Sequence, residues 1–476
     1  MHTLPPERWF EQFGVDDALT LRVLATATQH GADDADLYFE HSVSTSVGLS
    51  DHKVNRAHTS VDLGVGVRVV IGDQVGYAYT EDLSEVAMKR AAAIAAEIAR
   101  DGHASVPPQQ VRTGKVHDFY PVKRQWSDVG VSERVPLVRE WESQAFSRDA
   151  RVKNVQVGLS DADKHILIVR ADGTRVADYR PMTTAHVSVT SSEGDKTEAG
   201  GFNLAGRAGI EFFTQERQDR LVDEAVKRSV DALHAGAAPA GEMPVVLAAG
   251  SSGILLHEAI GHGLEADFNR KGISIFADRM NSRIASDEVT IVDDATIQND
   301  RGAINVDDEG SPTEKTTLVQ NGVLKSYLHD RISARHYDVE PTGSGRRESF
   351  RSTVLPRMSS TYMESGPHDP GEIIASVEKG IYCVTFSNGQ VQIGAGDFAF
   401  YVRQAYLIEN GKLTRPIKDV NLIGNGPKVL ETIDMVGNDL KIDDGGWTCG
   451  KDGQSVPVSQ GMPTVRVASL SVGGQS

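Results

Sequence analysis

Leu255-Leu256-His257-Glu258-Ala259-Ile260-Gly261-His262-Gly263-Leu264-Glu265-Ala266-Asp267 places two histidines and two glutamates on an apolar segment of a 476-residue chain. These are the residue types of a hydrolytic metal centre: neutral imidazoles ligate zinc, and a carboxylate beside them takes a proton from the water the metal activates. In the familiar zinc-peptidase pattern the histidines stand four apart, only about 40° out of line on a regular helix. Here they stand five apart. That offset is roughly 140° on an ideal helix, so the imidazoles diverge unless the helix widens into a π-type turn. Gly261, just before the second histidine, offers backbone freedom for such a bulge. The plain alternative is an amphipathic helix whose polar residues include two histidines.

Upstream, Pro244 to Ala248 reads as a strand, and Gly250-Ser251-Ser252-Gly253 leads into the histidine segment. A phosphate loop would end in Gly-Lys-Ser/Thr, which is missing, so a tight turn with a serine cap is expected. Before the strand, Ala235 to Gly241 consists of small residues and proline, a linker composition. It divides the chain into an N-terminal α+β region, 1–238, with a further break near 105–130, and a C-terminal domain, 239–476.

In the first region, apolar spacing predicts helices over Asp16–His30, from Asp82 as cap to about Arg100, Ser132–Ala150 and Thr214–His234. Runs rich in Val, Tyr and Thr predict strands over Ala35–His41, Val61–Ile71, Gln74–Tyr79, Asn154–Leu159, Lys164–Ala171 and Thr183–Thr190, with Gly72-Asp73 as a hairpin turn. A looser stretch holds Pro107, Pro108 and Pro121. No catalytic cluster is evident there. Beyond Val289 strands dominate: Asn321-Gly322 and Asn410-Gly411 each mark a hairpin, and Asp369-Pro370 starts a helix that ends by Gly380. The acidic stretch Gln298–Lys315, with Asp307-Asp308-Glu309-Gly310, reads as a solvated surface loop or a mobile lid. The fold class expected is α+β, with a strand-rich C-terminal domain carrying the metal-site helix.

A catalytic zinc needs a third protein ligand, and two residues compete for that place. Glu265 lies three residues beyond His262, on the same helical face. Cys449 lies in Gly445-Gly446-Trp447-Thr448-Cys449-Gly450-Lys451-Asp452-Gly453-Gln454, where flexible neighbours permit close approach and a lysine favours the thiolate. An ordinary buried cysteine fits that loop equally well.

Composition narrows the function. The formal net charge is −17, with no compensating basic run, which disfavours direct contact with nucleic acid or an anionic membrane. With only Cys383 and Cys449 there is no disulfide framework. No apolar run approaches bilayer-spanning length, and Met1 to Arg8 lacks the pattern of a secretory signal, so a cytoplasmic location is expected.

Taken together, His257-Glu258-Ala259-Ile260-Gly261-His262-Gly263-Leu264-Glu265, Gly345-Arg346-Arg347-Glu348-Ser349, Gly396-Asp397-Phe398, Ile423-Gly424-Asn425-Gly426, Cys449-Gly450-Lys451-Asp452-Gly453-Gln454 and Gly461-Met462-Pro463-Thr464 resemble the TldD/PmbA metallopeptidase family, on its TldD side. Over the first half the best landmark is Leu63-Gly64-Val65-Gly66-Val67. The resemblance implies a zinc-dependent peptidase acting on unfolded or small peptides. It also implies that Zn2+ is held by His257, His262 and Cys449, and that Glu258 is the catalytic base. Glu265 is then cast as a residue that orients an imidazole. A PmbA/TldE-like paralogue lacking the histidine motif is implied as partner in a heterodimer. The alternative is a non-enzymatic regulatory subunit, of the kind associated with DNA gyrase modulation, with a structural zinc closed by four ligands.

Overall fold

The computed structural model describes residues 4–99, 112–113 and 117–474. Pro107 and Pro108 lie outside them. Asp16 accepts a hydrogen bond from the Leu19 amide and starts α1 (Asp17–Ala27). A three-strand meander follows, β1 (Asp34–Ser50), β2 (Lys53–Ile71) and β3 (Gln74–Thr80). The cap of α2 (Glu85–Ile98) is Ser84, which accepts from the Ala87 amide, and not Asp82, whose carboxylate is taken by the Ser84 amide. After the short β4 (Arg112–Thr113) come α3 (Val131–Arg148), β5 (Val152–Arg170), β6 (Thr174–Glu193), β7 (Lys196–Gly206) and α4 (Gln215–Leu233). Here β5 is one 19-residue strand where the sequence suggests two. Its polar middle is no turn: Asp161 is paired with Arg134, and Asp163 accepts the backbone amides of Trp126 and Ser127.

These strands form one sheet, ordered β3-β2-β1-β5-β6-β4 with β7 also on β6. Side chains alternate across it. Leu37, Phe39, Leu167 and Val169 point to the face covered by α1 and α2, and farther along, Val155, Val157 and Leu159 point to α3 and α4 on the same face. Positions of opposite parity, among them Asp36, Tyr38 and Ile168, point to the second half of the chain, where Tyr38 and Ile168 pack with Phe350.

The second half adds β8 (Gly236–Ala237), β9 (Gly241–Leu247), α5 (Ile254–Leu256), α6 (Ala266–Arg270), β10 (Ile291–Asp294), β11 (Lys315–Gln320), β12 (Val323–Leu324), α7 (Arg331–Tyr337), β13 (Gly345–Arg346), β14 (Leu355–Pro356), β15 (Ser360–Met363) and α8 (Pro370–Ala375). It ends with β16 (Lys379–Gln392), β17 (Asp397–Glu409), β18 (Lys412–Lys418), β19 (Val420–Asn425), α9 (Gly426–Glu431), β20 (Ile433–Val436), β21 (Lys441–Asp443), β22 (Thr448–Lys451), β23 (Gln454–Pro457), β24 (Ser459–Met462) and β25 (Val465–Gly473). One sheet runs β16-β9-β25-β19-β17-β18-β8, and pairing of β16 with β17 closes five of these strands into a ring. A second runs β12-β11-β10-β15-β24-β21. Both Asn-Gly turns are present, with positive φ at Asn321, Gly322, Asn410 and Gly411, as a two-residue hairpin turn requires. Asp369 caps α8 on the Gly371 amide. The fold is α+β.

The acidic loop is neither a solvated surface nor a lid. Asp307, Asp308 and Glu309 are fully buried between the first sheet and the second half. Arg68 of β2 bridges Asp36 at 2.6 Å and Glu309 at 2.5 Å, Arg180 of β6 reaches Asp308 at 2.6 Å, and Arg347 reaches Asp36 at 3.2 Å. Burial of Asp308 and Glu309 is sustained by guanidinium partners from strands more than a hundred residues away, which local sequence does not reveal, whereas Asp307 accepts the backbone amides of Glu309, Ser311 and Gly345.

Candidate metal centre

The histidine segment starts as α5, one helical turn, and then widens: His257–Gly261 is π-helical and His262–Leu264 tightens to a 3-10 turn. The bulge expected from the five-residue spacing is therefore present. Its effect is to bring the two imidazoles together at 4.9 Å between centroids, nearly perpendicular at 86°. The role of Gly261 differs from the expectation. Its φ is an ordinary helical −55°, but a Cβ there would lie 2.1 Å from the Met358 sulfur. Space, not backbone freedom, demands glycine.

Leu256, Ile260 and Leu264 anchor the segment in the core of the second half. Cys449 arrives from β22, which among the described residues pairs only with β23, in a two-strand hairpin. Ligand-type atoms of His257, His262 and Cys449 all lie within 4.8 Å of one another, and the three residues are buried. His262 Nε2 is 3.5 Å from Cys449 Sγ, while its Nδ1 is 3.0 Å from Glu265 Oε2. Glu265 thus stands behind His262, on the nitrogen that faces away from the thiol.

Two cations hold Glu265 in place. Lys451 Nζ lies 3.1 Å from its carboxylate and Arg357 Nε 3.8 Å. Burial opposes ionisation of Glu265, but Lys451, His262 and Arg357 outweigh it and bring its pKa down to about 2. Lys451 also pairs with Asp267 at 2.7 Å, so it serves these carboxylates, whereas the sequence suggests that it favours the Cys449 thiolate. For Cys449, burial works against the thiolate, and charge and hydrogen bonding from His257 and His262 overcome it, lowering the pKa to about 5. Arg357 reaches this ligand arm as well, donating to the Cys449 carbonyl at 2.6 Å.

The donor set fits a zinc ion. A thiol biased to thiolate and a buried carboxylate flank His262, whose pKa is raised well above the usual imidazole range although burial lowers it. The space between them therefore favours positive charge. Nδ1 of His257 is buried without a hydrogen-bond partner among the described residues. Two imidazoles and a thiolate are soft-to-borderline ligands that suit zinc and leave a fourth position open.

Glu258 projects into a cleft of about 270 Å³ that His257, His262, Cys449, Trp447 and Gln460 also line. Burial raises its pKa above the ordinary glutamate value. Arg357 and Gln460 are absent from the sequence reading, since neither lies in a spacing pattern that marks a ligand or base. Arg357 is fully buried, and only its long-range partners reveal its place.

Three family models match this chain: the PmbA/TldA metallopeptidase domain 1 over residues 35–99, its central domain over 124–233 and its C-terminal domain over 240–474. The chain is 39% identical over 452 residues to a metalloprotease TldD homolog from Buchnera aphidicola, covering 94% of this chain and 93% of that protein. It is 38% identical over 460 residues to a metalloprotease TldD homolog from Haemophilus influenzae, covering 95% of each. A zinc metalloprotease TldD homolog from Saccharolobus solfataricus is 27% identical over 454 residues, covering 95% of this chain and 99% of that one. Among solved structures, TldE from Thermococcus kodakarensis superimposes with a TM-score of 0.74 at 17% identity, over 96% of this chain and 100% of its own. A candidate DNA gyrase modulator from Thermotoga maritima does so with a TM-score of 0.79 at 19% identity, over 96% and 100%. These two likenesses concern the fold alone. By the family models and the near-full-length relatives, the chain belongs to the TldD/PmbA metallopeptidase family.

Proposed function

We propose that this chain is a zinc-dependent peptidase of the cytoplasm that hydrolyses unfolded or small peptides, and that it is the metal-bearing subunit beside a PmbA/TldE-like paralogue. One observation carries the reading: His257, His262 and Cys449 converge within 4.8 Å, and Glu258 opens onto the same cleft. His257, His262 and Cys449 would hold the ion, which when bound supplies Lewis acidity toward water and the scissile carbonyl. Glu258, with its raised pKa, accepts the proton of the attacking water at a carboxylate oxygen and returns it to the leaving amine. Glu265 fixes the orientation of His262 through Nδ1, and Lys451 and Arg357 keep Glu265 ionised. A structural zinc would be closed by four protein ligands. Among the described residues the cluster has three, which supports an open, catalytic position.

Peptide binding has support in β16. One edge of it pairs with β17, while the other meets β9 only over Ile381–Cys383. From Val384 onward that edge has no strand partner among the described residues, and it runs toward Gly389, which lines the metal cleft. A substrate strand laid along it would be held by backbone hydrogen bonds, without demands on its side chains. The test is zinc stoichiometry together with a chelator-sensitive assay on an unrelated peptide panel, with and without the partner subunit. Stoichiometric zinc with no cleavage in either case would overturn the enzymatic reading.

A further inference from the structure

A larger cleft, of about 620 Å³, lies between β7 and α4 on one side and β16, β17 and β18 on the other. Trp447 and Thr448 line both this space and the metal cleft, so the two adjoin at the residues just before Cys449. Its wall carries cations that the molecule leaves under-compensated. The side chains of Arg403 and Lys441 have no hydrogen-bond or ion-pair partner among the described residues. Arg228 donates to the Gly201 carbonyl at 3.1 Å, and its buried Nε has only a loose ion pair, with Glu224 at 3.6 Å, beyond hydrogen-bond range. Burial lowers the pKa of Arg228, and the nearby positive charge of Arg403 adds to the effect although Glu224 and Asp443 oppose it. By contrast Arg220, stacked over the same Phe202 ring as Arg228, has Asp444, and Lys418 has Glu198. Although Glu224, Asp231, Asp443 and Asp444 also line the cleft, Arg403 and Lys441 are left without a salt-bridge partner among the described residues, beside an Arg228 that is only loosely paired.

We infer that the wall formed by Arg228, Arg403 and Lys441 binds a carboxylate of the peptide being cleaved, either its C-terminus or an Asp or Glu side chain. The inference rests on the peptidase reading above. The guanidinium groups of Arg228 and Arg403 present paired N–H donors that match a carboxylate, and the Lys441 ammonium adds a further positive charge. Because the cleft adjoins the metal centre, a carboxylate held there places the peptide bonds near it in register with Glu258.

Binding is read on the full-length, zinc-loaded Glu258→Gln chain, by fluorescence anisotropy of labelled peptides that share one neutral sequence. The free acid is compared with the C-terminal amide, and an internal Glu with Gln in the amide, so the two arms separate the two carboxylate sources. The carboxylate form of at least one pair binds about tenfold tighter, less so at high salt. In Arg403→Ala with Lys441→Ala that ratio falls toward one, whereas Lys325→Ala, which does not line the cleft, leaves it unchanged. Arg403 and Lys441 are exposed, so their replacement leaves the core intact. Equal binding of acid and amide and of Glu and Gln, or a preference that persists in the double variant, overturns the inference. If the unmodified chain with its partner still cleaves the neutral amide, the peptidase reading stands without it. If no peptide is bound or cleaved, both fall.

Discussion

At the scale of single residues, the proposed function divides the chemistry among Glu258, Cys449 and Glu265 by position. Glu258→Gln keeps the proposed ligand cluster but removes the proposed proton acceptor, so zinc content should be unchanged while kcat/KM drops by about 10²–10⁴. His257→Ala loses zinc and activity together. Turnover retained in a metal-replete Glu258→Gln preparation would exclude Glu258 as the base. In the metal-free chain burial raises the pKa of Glu258, so its acid form persists to higher pH than that of an ordinary glutamate. Cys449 has the opposite shift. In the metal-free chain its thiolate persists down to about pH 5 and is lost below that, which thiolate ultraviolet absorbance reads directly. Burial pushes Cys383 upward, so it stays silent in that titration. An inflection above neutrality would remove the histidine-stabilised thiolate from the account. Cys449→Ser should lose stoichiometric zinc, whereas Glu265→Gln should only weaken it, on the order of 10–100-fold; the reverse result would make Glu265 the ligand.

At the scale of elements, the π-helical turn is what turns the five-residue spacing into a site. It adds a residue to the turn, so His262 comes round to face His257 instead of pointing away. Close backbone packing holds it: Cβ atoms at Gly253 and Gly426 would meet the backbone of Gly461 and Ala259 at 2.5 and 2.3 Å. Gly261→Ala forces the Met358 sulfur aside and should cost about 1–3 kcal/mol of stability with weakened zinc retention. Thermal unfolding and zinc analysis of Gly261→Ala in a Met358→Ala background test this: Met358→Ala alone opens a core cavity, and Gly261→Ala added to it should cost much less than in the parent chain. An equal cost in both backgrounds would mean that helix geometry rather than space sets the requirement.

At the scale of the whole molecule, the two halves are joined through buried charge. Arg347 stacks over Tyr38 at 4.4 Å, reaches Asp36 at 3.2 Å, and donates to the Asp308 carbonyl at 3.0 Å. The next residue but two, Phe350, packs against the glycines of β2: a Cβ at Gly64 would lie 2.2 Å from its ring. This explains Leu63-Gly64-Val65-Gly66-Val67 as a docking surface, a meaning invisible in the strand itself. Arg347→Met would leave Asp36 with Arg68 alone and the Asp308 carbonyl without a donor, and should cost roughly 2–4 kcal/mol in urea unfolding of the zinc-loaded chain. A loss below about 1 kcal/mol would show that the interface is held by apolar contact instead.

Sequence by itself determined the local features: most helices and strands, both Asn-Gly hairpins, the α+β class, and the five-apart histidines with the bulge they require. These depend on periodicity, turn chemistry and caps, all carried by neighbouring residues. Tertiary structure decided the rest. That Glu265 lies behind His262, that Lys451 serves Glu265 and Asp267 instead of the thiol, that Arg357 ties together the histidine and cysteine arms, and that the most acidic loop is buried all depend on partners far away in the chain. A charged side chain reads as exposed in sequence because desolvation is costly unless a counter-charge meets it, and only the folded chain shows which counter-charge arrives.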